Sequence, residues 1–355
     1  MKKEKKQSKA SRVILSILSA VLAVILVVLL GAVVLLNHFY GKINRVEDNG
    51  PTLSQEDANR LEQEQIDEEG AGTSPTLDGN QIIWDGDPSH IIGRTDDIIN
   101  ILLIGQDRRP GEGRARSDSM ILCTYNTKAG TLTLTSFMRD LYVQIPGYED
   151  SRMNVAYPLG GMDLLDECLA VNFGVHVDGN VEVDFSGFEK IINALGGVDI
   201  NLTSEEAYYL NNSSWQGYDT SYWDFTEGMN HMDGAQALSY SRIRYIDSDF
   251  MRTERQRNVL TALLESCRNM NVKDLWNLLN TLLPMVTTDM NDQQITSYAT
   301  QILPKLAGVE LVTQRIPTDD GYENASIRGM SVLVPYLETN RQFLIDTLSP
   351  AAMGD

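Results

Sequence analysis

Asp97-Ile-Ile-Asn-Ile-Leu-Leu-Ile-Gly105 is a near-continuous apolar run stopped by glycine. Such a run suits a strand buried on both faces, and strands of that kind occur in sheets covered by helices. Ligands of α/β sheets bind beyond the carboxyl ends of the strands, where this strand delivers Asp107 and Arg108. Arg108 to Ser117 reads as a polar loop. Met120 to Tyr125 and Thr131 to Ser136 then alternate as strands around Asn126-Thr-Lys-Ala-Gly130, a hairpin signal that brings Asp118 and Arg139 to one end.

Further along, strands are expected at Leu141 to Ile145, Val181 to Phe185, Val198 to Leu202 and Val309 to Ile316. Helical periodicity predicts helices at Met162 to Phe173 and Ser186 to Leu195, the latter stopped by Gly196-Gly197. Others are expected at Asp233 to Ser241, Thr253 to Asn269, Val272 to Leu283, Asp292 to Leu303 and Ser331 to Leu348. Alternation of the two kinds of element predicts an α/β fold, a mixed central β-sheet with helices on both faces.

Upstream, the chain is of another kind. Residues 1–12 carry six basic side chains against Glu4, net +5, which leaves −25 of the total −20 downstream. Val13 to Leu36 is a run of 24 uncharged, mostly aliphatic residues. At about 1.5 Å per residue it is long enough to cross a hydrocarbon core of about 30 Å. It is too long for the apolar part of a cleaved signal and lacks a small-residue cleavage site. The expectation is a single transmembrane helix over 13–36 with a cytoplasmic basic tail over 1–12 and everything after it outside. Residues 37–96 are rich in Asp, Glu, Gln, Gly and Pro, with one short helical pattern from Ser54 to Glu68, and read as an acidic extracellular tether. The folded domain is expected over 97–349 and a short tail over 350–355.

Cys123, Cys168 and Cys267 are odd in number and have no neighbouring histidine to activate a thiolate, so they read as small buried hydrophobes. His38, His90, His176 and His231 lack the spacing of zinc ligands.

What remains is a pattern of acids and arginines: Asp107-Arg108, Arg116-Ser-Asp118, Arg139-Asp140, Arg242-Ile-Arg244, Asp249 and Arg252. A guanidinium fork matches phosphate oxygens, and a carboxylate pair holds a divalent cation bridging those oxygens, so both types serve one pyrophosphate. Each residue has a duller reading. Asp107 and Asp118 could cap turns, Arg242 and Arg244 could line an exposed strand, and Arg252, Arg255 and Arg257 could be a solvated helix face.

These residues lie in motifs that resemble the LytR-CpsA-Psr family, membrane-anchored transferases of bacterial cell-wall assembly. The resemblance covers about 98–268. It rests on Asn100-Ile-Leu-Leu-Ile-Gly-Gln-Asp107-Arg108, Arg116-Ser-Asp-Ser-Met120, Ser136-Phe-Met-Arg-Asp140, Met153-Asn-Val-Ala-Tyr157, Phe185-Ser-Gly-Phe188, Leu195-Gly-Gly-Val-Asp199 and Gly234-Ala-Gln-Ala-Leu-Ser-Tyr-Ser-Arg-Ile-Arg244. It implies transfer of a glycopolymer, such as teichoic acid or capsule, from a polyprenyl pyrophosphate to a peptidoglycan muramic acid hydroxyl, with the lipid leaving as a monophosphate. The implied partners are that donor, peptidoglycan and the lipid bilayer. By the same resemblance Asp107 and Asp118 hold Mg²⁺ or Mn²⁺, while Arg108, Arg116, Arg139, Arg242, Arg244 and Arg252 clasp the pyrophosphate. Gln256 is a further polar pocket position, Asp249 an acid on the acceptor side, and the lipid occupies an apolar tunnel. Asp107, Asp118, Arg139, Arg244 and Asp249 form the expected catalytic set.

The sequence departs from the family pattern at Phe137-Met138, where Ile-Pro is common, and at Val155, where histidine is frequent. Trp215, Tyr218, Tyr222 and Trp223 lie in a polar loop, where they could stack on sugars or cover a core edge. Two other functions compete: a non-catalytic holder of polyprenyl-linked polymer, which could dispense with the metal acids, and envelope-linked transcriptional control. The −25 downstream charge opposes nucleic-acid binding.

Overall fold

The computed structural model describes residues 39–46, 53–93, 95–106, 114–215, 217–268, 270, 272–302, 305 and 308–349. The expected transmembrane segment 13–36, the basic tail, Asp107, Arg108 and the tail 350–355 lie outside the described residues. The chain divides into two units, Met1–Ile43 and Asn44–Asp355. In the first, residues 39–43 form a turn closed by the Lys42 amide donating to the Phe39 carbonyl.

In chain order the second unit contains β1 (Asn44–Arg45), α1 (Gln55–Glu69), β2 (Ile98–Gln106), β3 (Ser117–Asn126), β4 (Thr131–Phe137), β5 (Tyr142–Val143), β6 (Ser151–Arg152) and α2 (Ala156–Phe173). There follow β7 (Gly179–Asp184), α3 (Phe185–Leu195), β8 (Val198–Leu202), α4 (Ser204–Asn212), β9 (Gly228–Met232), α5 (Gly234–Ser241) and α6 (Asp249–Arg268). The last elements are α7 (Val272–Leu282), β10 (Val286–Thr288), α8 (Asp292–Ile302), β11 (Glu310–Ile316), β12 (Tyr322–Ile327), β13 (Met330–Pro335) and α9 (Leu337–Leu348).

Seven strands form the central sheet in the order β1-β10-β7-β2-β3-β4-β11. It is mixed: β2 runs antiparallel to β3 and parallel to β7, and β11 runs parallel to β4. Strand alternation sends Leu102, Ile104, Met120, Leu122 and Phe137 to one face, under Leu165, Leu169 and Phe173 of α2 and Leu344 and Leu348 of α9. Ile99, Ile121, Leu132 and Leu134 face the other way, towards Leu260 and Leu264 of α6 and Tyr298 and Ile302 of α8. Helices thus cover both faces, and each fully buried aliphatic side chain contributes about 1.5–3 kcal/mol. A separate apolar cluster joins α3 to α5, β8, β9 and the aromatic loop, with Trp223 and Phe225 buried in it. Those two rings cover a core edge. Tyr222 remains exposed.

Residues 53–93 are not a tether. Ser54 caps α1 through a reciprocal pair with Asp57, and Ala58, Glu62 and Gln65 form its buried stripe. Arg328 grips Glu62 at 2.6 Å, Ser151 donates to the same carboxylate, and Ile92 bridges to Val175. Two of the three buried positions of α1 are polar, so apolar periodicity shows a helix here without showing that it packs on the domain. The expected helix from Ser331 is also corrected, because Met330–Pro335 is a strand paired with Tyr322–Ile327. The turn between them has Arg328 at φ 49° and Gly329 at φ 85°, the left-handed pair of a two-residue hairpin. Leu141 to Ile145 holds only the two-residue β5, and α4, β9, β10, β12 and β13 were not expected.

Beside β7, the amide of Asn180 donates to both Asp166 (2.9 Å) and Asp289 (2.7 Å). Burial pushes the Asp166 carboxyl up to about 8, with help from Asp289 and Asp163 and against the Asn180 hydrogen bond. The folded state therefore keeps a proton that the unfolded chain releases above its ordinary 3.8. Stability must fall as pH rises from about 4 towards 8. Asp166→Asn is expected to flatten that decline, read as the urea midpoint at pH 5 and pH 8; an unchanged slope would refute it.

Candidate active site

Between Gly105 and Gln106 the β2–β3 register shifts, so Gly105 faces Ser119 and Gln106 faces Ser117. Asp118 is the extra residue of this bulge, a device that re-aims a side chain at a strand end. Arg139 follows β4 at the adjacent strand end, and its Nη1 donates to Asp118 Oδ1 at 3.0 Å. Arg244, in the loop after α5, brings Nη2 to 3.8 Å from the same oxygen. Asp249 opens α6 and lies 3.8 Å from Arg139 Nε, while Arg252 Nη2 donates to it at 2.9 Å. Three arginines thus converge on two acids from β3, the end of β4, the loop 242–248 and the first turn of α6.

Positive charge is in excess. Burial opposes ionisation of Asp118, yet Arg139, Arg244 and Arg252 outweigh it and hold this carboxyl below the ordinary range. Arg252 shows the converse. Burial and its neighbours Arg139 and Arg244 press it down to about 10 despite Asp249 and Asp118. A site in which buried guanidinium groups repel one another is prepared for an anion.

The other expected residues are placed less centrally. Arg116 lies partly buried immediately before β3, and Gln256 sits one turn along α6 from Arg252. Arg242 is engaged differently, its guanidinium 4.6 Å from the centre of the Phe185 ring. Asp107 and Arg108 are outside the described residues, among which no group of three His, Cys, Asp or Glu side chains could hold a metal.

Sequence reading included Asp140 in the charge pattern without giving it a role, and it missed Arg152 as a neighbour of the site. Asp140 lies 3.7 Å from Arg139 and 3.6 Å from the fully buried Arg152, and no spacing signal links Arg152 to the others. The solvated-face reading of Arg252, Arg255 and Arg257 fails, since all three are buried. Arg255 binds Glu206 at 2.7 Å and also Asp247 and the Ile243 carbonyl, which ties the loop carrying Arg242 and Arg244 to α6.

Partly exposed apolar side chains share β3 and α6 with this charge cluster. On the α6 side of the sheet Ile101, Leu103 and Cys123 are only partly covered although β2 and β3 are central strands, and Leu260 and Leu264 are likewise accessible. Burial pushes the Cys123 thiol up to about 12. All three cysteines are free.

The chain matches the LytR_cpsA_psr family model across residues 53–342. It is 33% identical over 179 residues to polyisoprenyl-teichoic acid–peptidoglycan teichoic acid transferase TagT of Bacillus subtilis, covering 49% of this chain and 54% of that protein. It is 31% identical over 262 residues to regulatory protein MsrR of Staphylococcus aureus, covering 72% and 76% respectively. The match to TagT thus spans about half of that relative's length. Among solved structures, TagT bound to LI-WTA aligns with a TM-score of 0.59 and 26% identity, over 71% of this chain and 91% of that one. With the family model covering most of the sequence, the chain belongs to the LytR_cpsA_psr family.

Proposed function

We propose that this protein is a membrane-anchored transferase that moves a glycopolymer from a polyprenyl pyrophosphate carrier to a peptidoglycan hydroxyl. One observation carries the reading: a cluster of arginines with excess positive charge and a set of partly exposed apolar side chains are built on the same strand and the same helix. A prenyl pyrophosphate has that combination of charge and grease, and a relative of this fold holds LI-WTA. Residues 13–36 would anchor the protein and residues 1–12 would remain cytoplasmic.

The acceptor oxygen attacks the phosphorus that bears the sugar, and the bond from that phosphorus to the bridging oxygen breaks. The electron pair departs with the lipid monophosphate. Arg139, Arg244 and Arg252 hold the phosphate oxygens and stabilise the charge that spreads over them, so no protein nucleophile is required. Asp249, fixed by Arg252, orients the acceptor hydroxyl and takes its proton. Asp118 fits a divalent cation, because its carboxyl is kept ionised and such ions commonly take one or two carboxylates beside substrate phosphates. With Asp107, the residue after Gln106 in sequence, it would hold Mg²⁺ or Mn²⁺, which would neutralise phosphate charge when bound.

The test incubates the full-length chain in detergent with a polyprenyl-pyrophosphate glycan, a wall oligosaccharide and Mg²⁺. Wild type is expected to release lipid monophosphate and form linked product, and Asp118→Asn to lose about 10²-fold in rate or more while still binding donor. Donor binding without any release by the wild type would favour a holding protein instead.

A further inference from the structure

Arg257 is a buried cation that the cluster around Asp118 does not use. It lies on α6 in the stripe of Leu260 and Leu264, which faces the sheet. It is 6% exposed, and its Nε and Nη1 are buried without a hydrogen bond. Among the described residues no hydrogen bond or ion pair reaches its guanidinium. Burial presses its charge down, Glu254 favours that charge and Arg315 opposes it.

The sheet supplies the rest of the surroundings. Ser136 pairs laterally with Ile121 on β3 and Arg315 on β11, and lateral partners share a face, so Ser136 and Arg315 face the α6 side. The Ser136 hydroxyl is buried and unpartnered. Arg315 lies over the Phe250 ring and pairs with the exposed Asp319. Two guanidinium groups and a hydroxyl therefore border one region in which the buried Arg257 Nε and Nη1 and the Ser136 hydroxyl have no hydrogen-bond partner, an arrangement suited to a phosphate.

Position says which phosphate. Along α6, Arg257 stands about 7.5 Å from Arg252 in one direction, with the partly exposed apolar Leu260 one turn and Leu264 two turns away in the other. We infer that Arg257, with Ser136 and Arg315, binds the phosphate joined directly to the prenyl chain, an assignment that rests on the transferase reading above. When the bridging P–O bond breaks, the electron pair stays on that phosphate, and the buried guanidinium meets the charge it gains.

The probes are a short-chain prenyl monophosphate, the matching prenyl alcohol and inorganic phosphate, bound to full-length wild type, Arg257→Leu and Arg257→Lys. Wild type should prefer the prenyl phosphate. Arg257→Leu should weaken that ligand by roughly tenfold or more, leave the alcohol unchanged and unfold at a midpoint no lower than wild type without ligand, since it removes an unpaired buried charge. Arg257→Lys should retain part of the preference. Equal discrimination by Arg257→Leu and wild type overturns the inference, as does loss of both ligands together with a lowered midpoint, which marks a structural role. Inorganic phosphate competing as well as the prenyl phosphate overturns the lipid-linked assignment. An Arg257-dependent preference in a protein that transfers nothing leaves this site standing and removes the transferase reading.

Discussion

Arg139→Ala is expected to lower the rate of polymer transfer by about 10³-fold or more, the scale on which arginines act in phosphoryl transfer. Arg139 is the hub of the charge cluster, hydrogen-bonded to Asp118 and near both Asp140 and Asp249. Its removal takes away the guanidinium hydrogen-bonded to Asp118 and leaves the burial of that carboxyl less opposed. Asp118 must then protonate at higher pH than in wild type. A carboxyl held low is ionised until pH falls through its depressed value, so the acid limb of the rate profile should move upward in Arg139→Ala. Arg139→Lys restores charge without the two-pronged fork and should recover the limb more than the rate. Both are read from single-turnover release of lipid monophosphate across pH. A rate within an order of magnitude of wild type, with an unmoved limb, would exclude Arg139 from the reaction.

Much of this site can be read in the sequence because its residues stand where strands end. The apolar run through Ile104 and the turn at Asn126 to Gly130 announce β2, β3 and β4, and with them the meeting of Asp118 and Arg139. Local chemistry sufficed there. It gave the helix α1 from Ser54 onward but not its packing, because the buried positions include the polar Glu62 and Gln65 and the counter-charge, Arg328, comes from the hairpin near the other end of the chain. The same limitation hid Arg255 and Arg257. Beside Arg252, which the family resemblance marks, they look solvated until Glu206, Asp247 and the sheet are folded around them. Arg257 stays anomalous even then, which is why it points to a ligand.

Arg255 offers the sharpest structural test of how the site is held. Its Nε donates to Glu206 Oε1 at 2.7 Å, and its other nitrogens reach Asp247 and the Ile243 carbonyl. Burial works against its charge, and the bonds to Asp247 and Glu206 overcome that effect and raise it above the ordinary value. Arg255→Met should cost about 3–5 kcal/mol, because it leaves the buried Glu206 carboxylate without a counter-charge. Pairing it with Glu206→Gln should recover part of the loss, since the stranded charge is gone. Stability and activity are expected to separate in that double variant. The loop 242–248 would still lack its tie to α6, so Arg244 would no longer be held beside Asp118, and transfer should stay impaired while the urea midpoint returns towards wild type. Full recovery of both would mean that Arg255 serves packing alone and that Arg244 is positioned by other contacts.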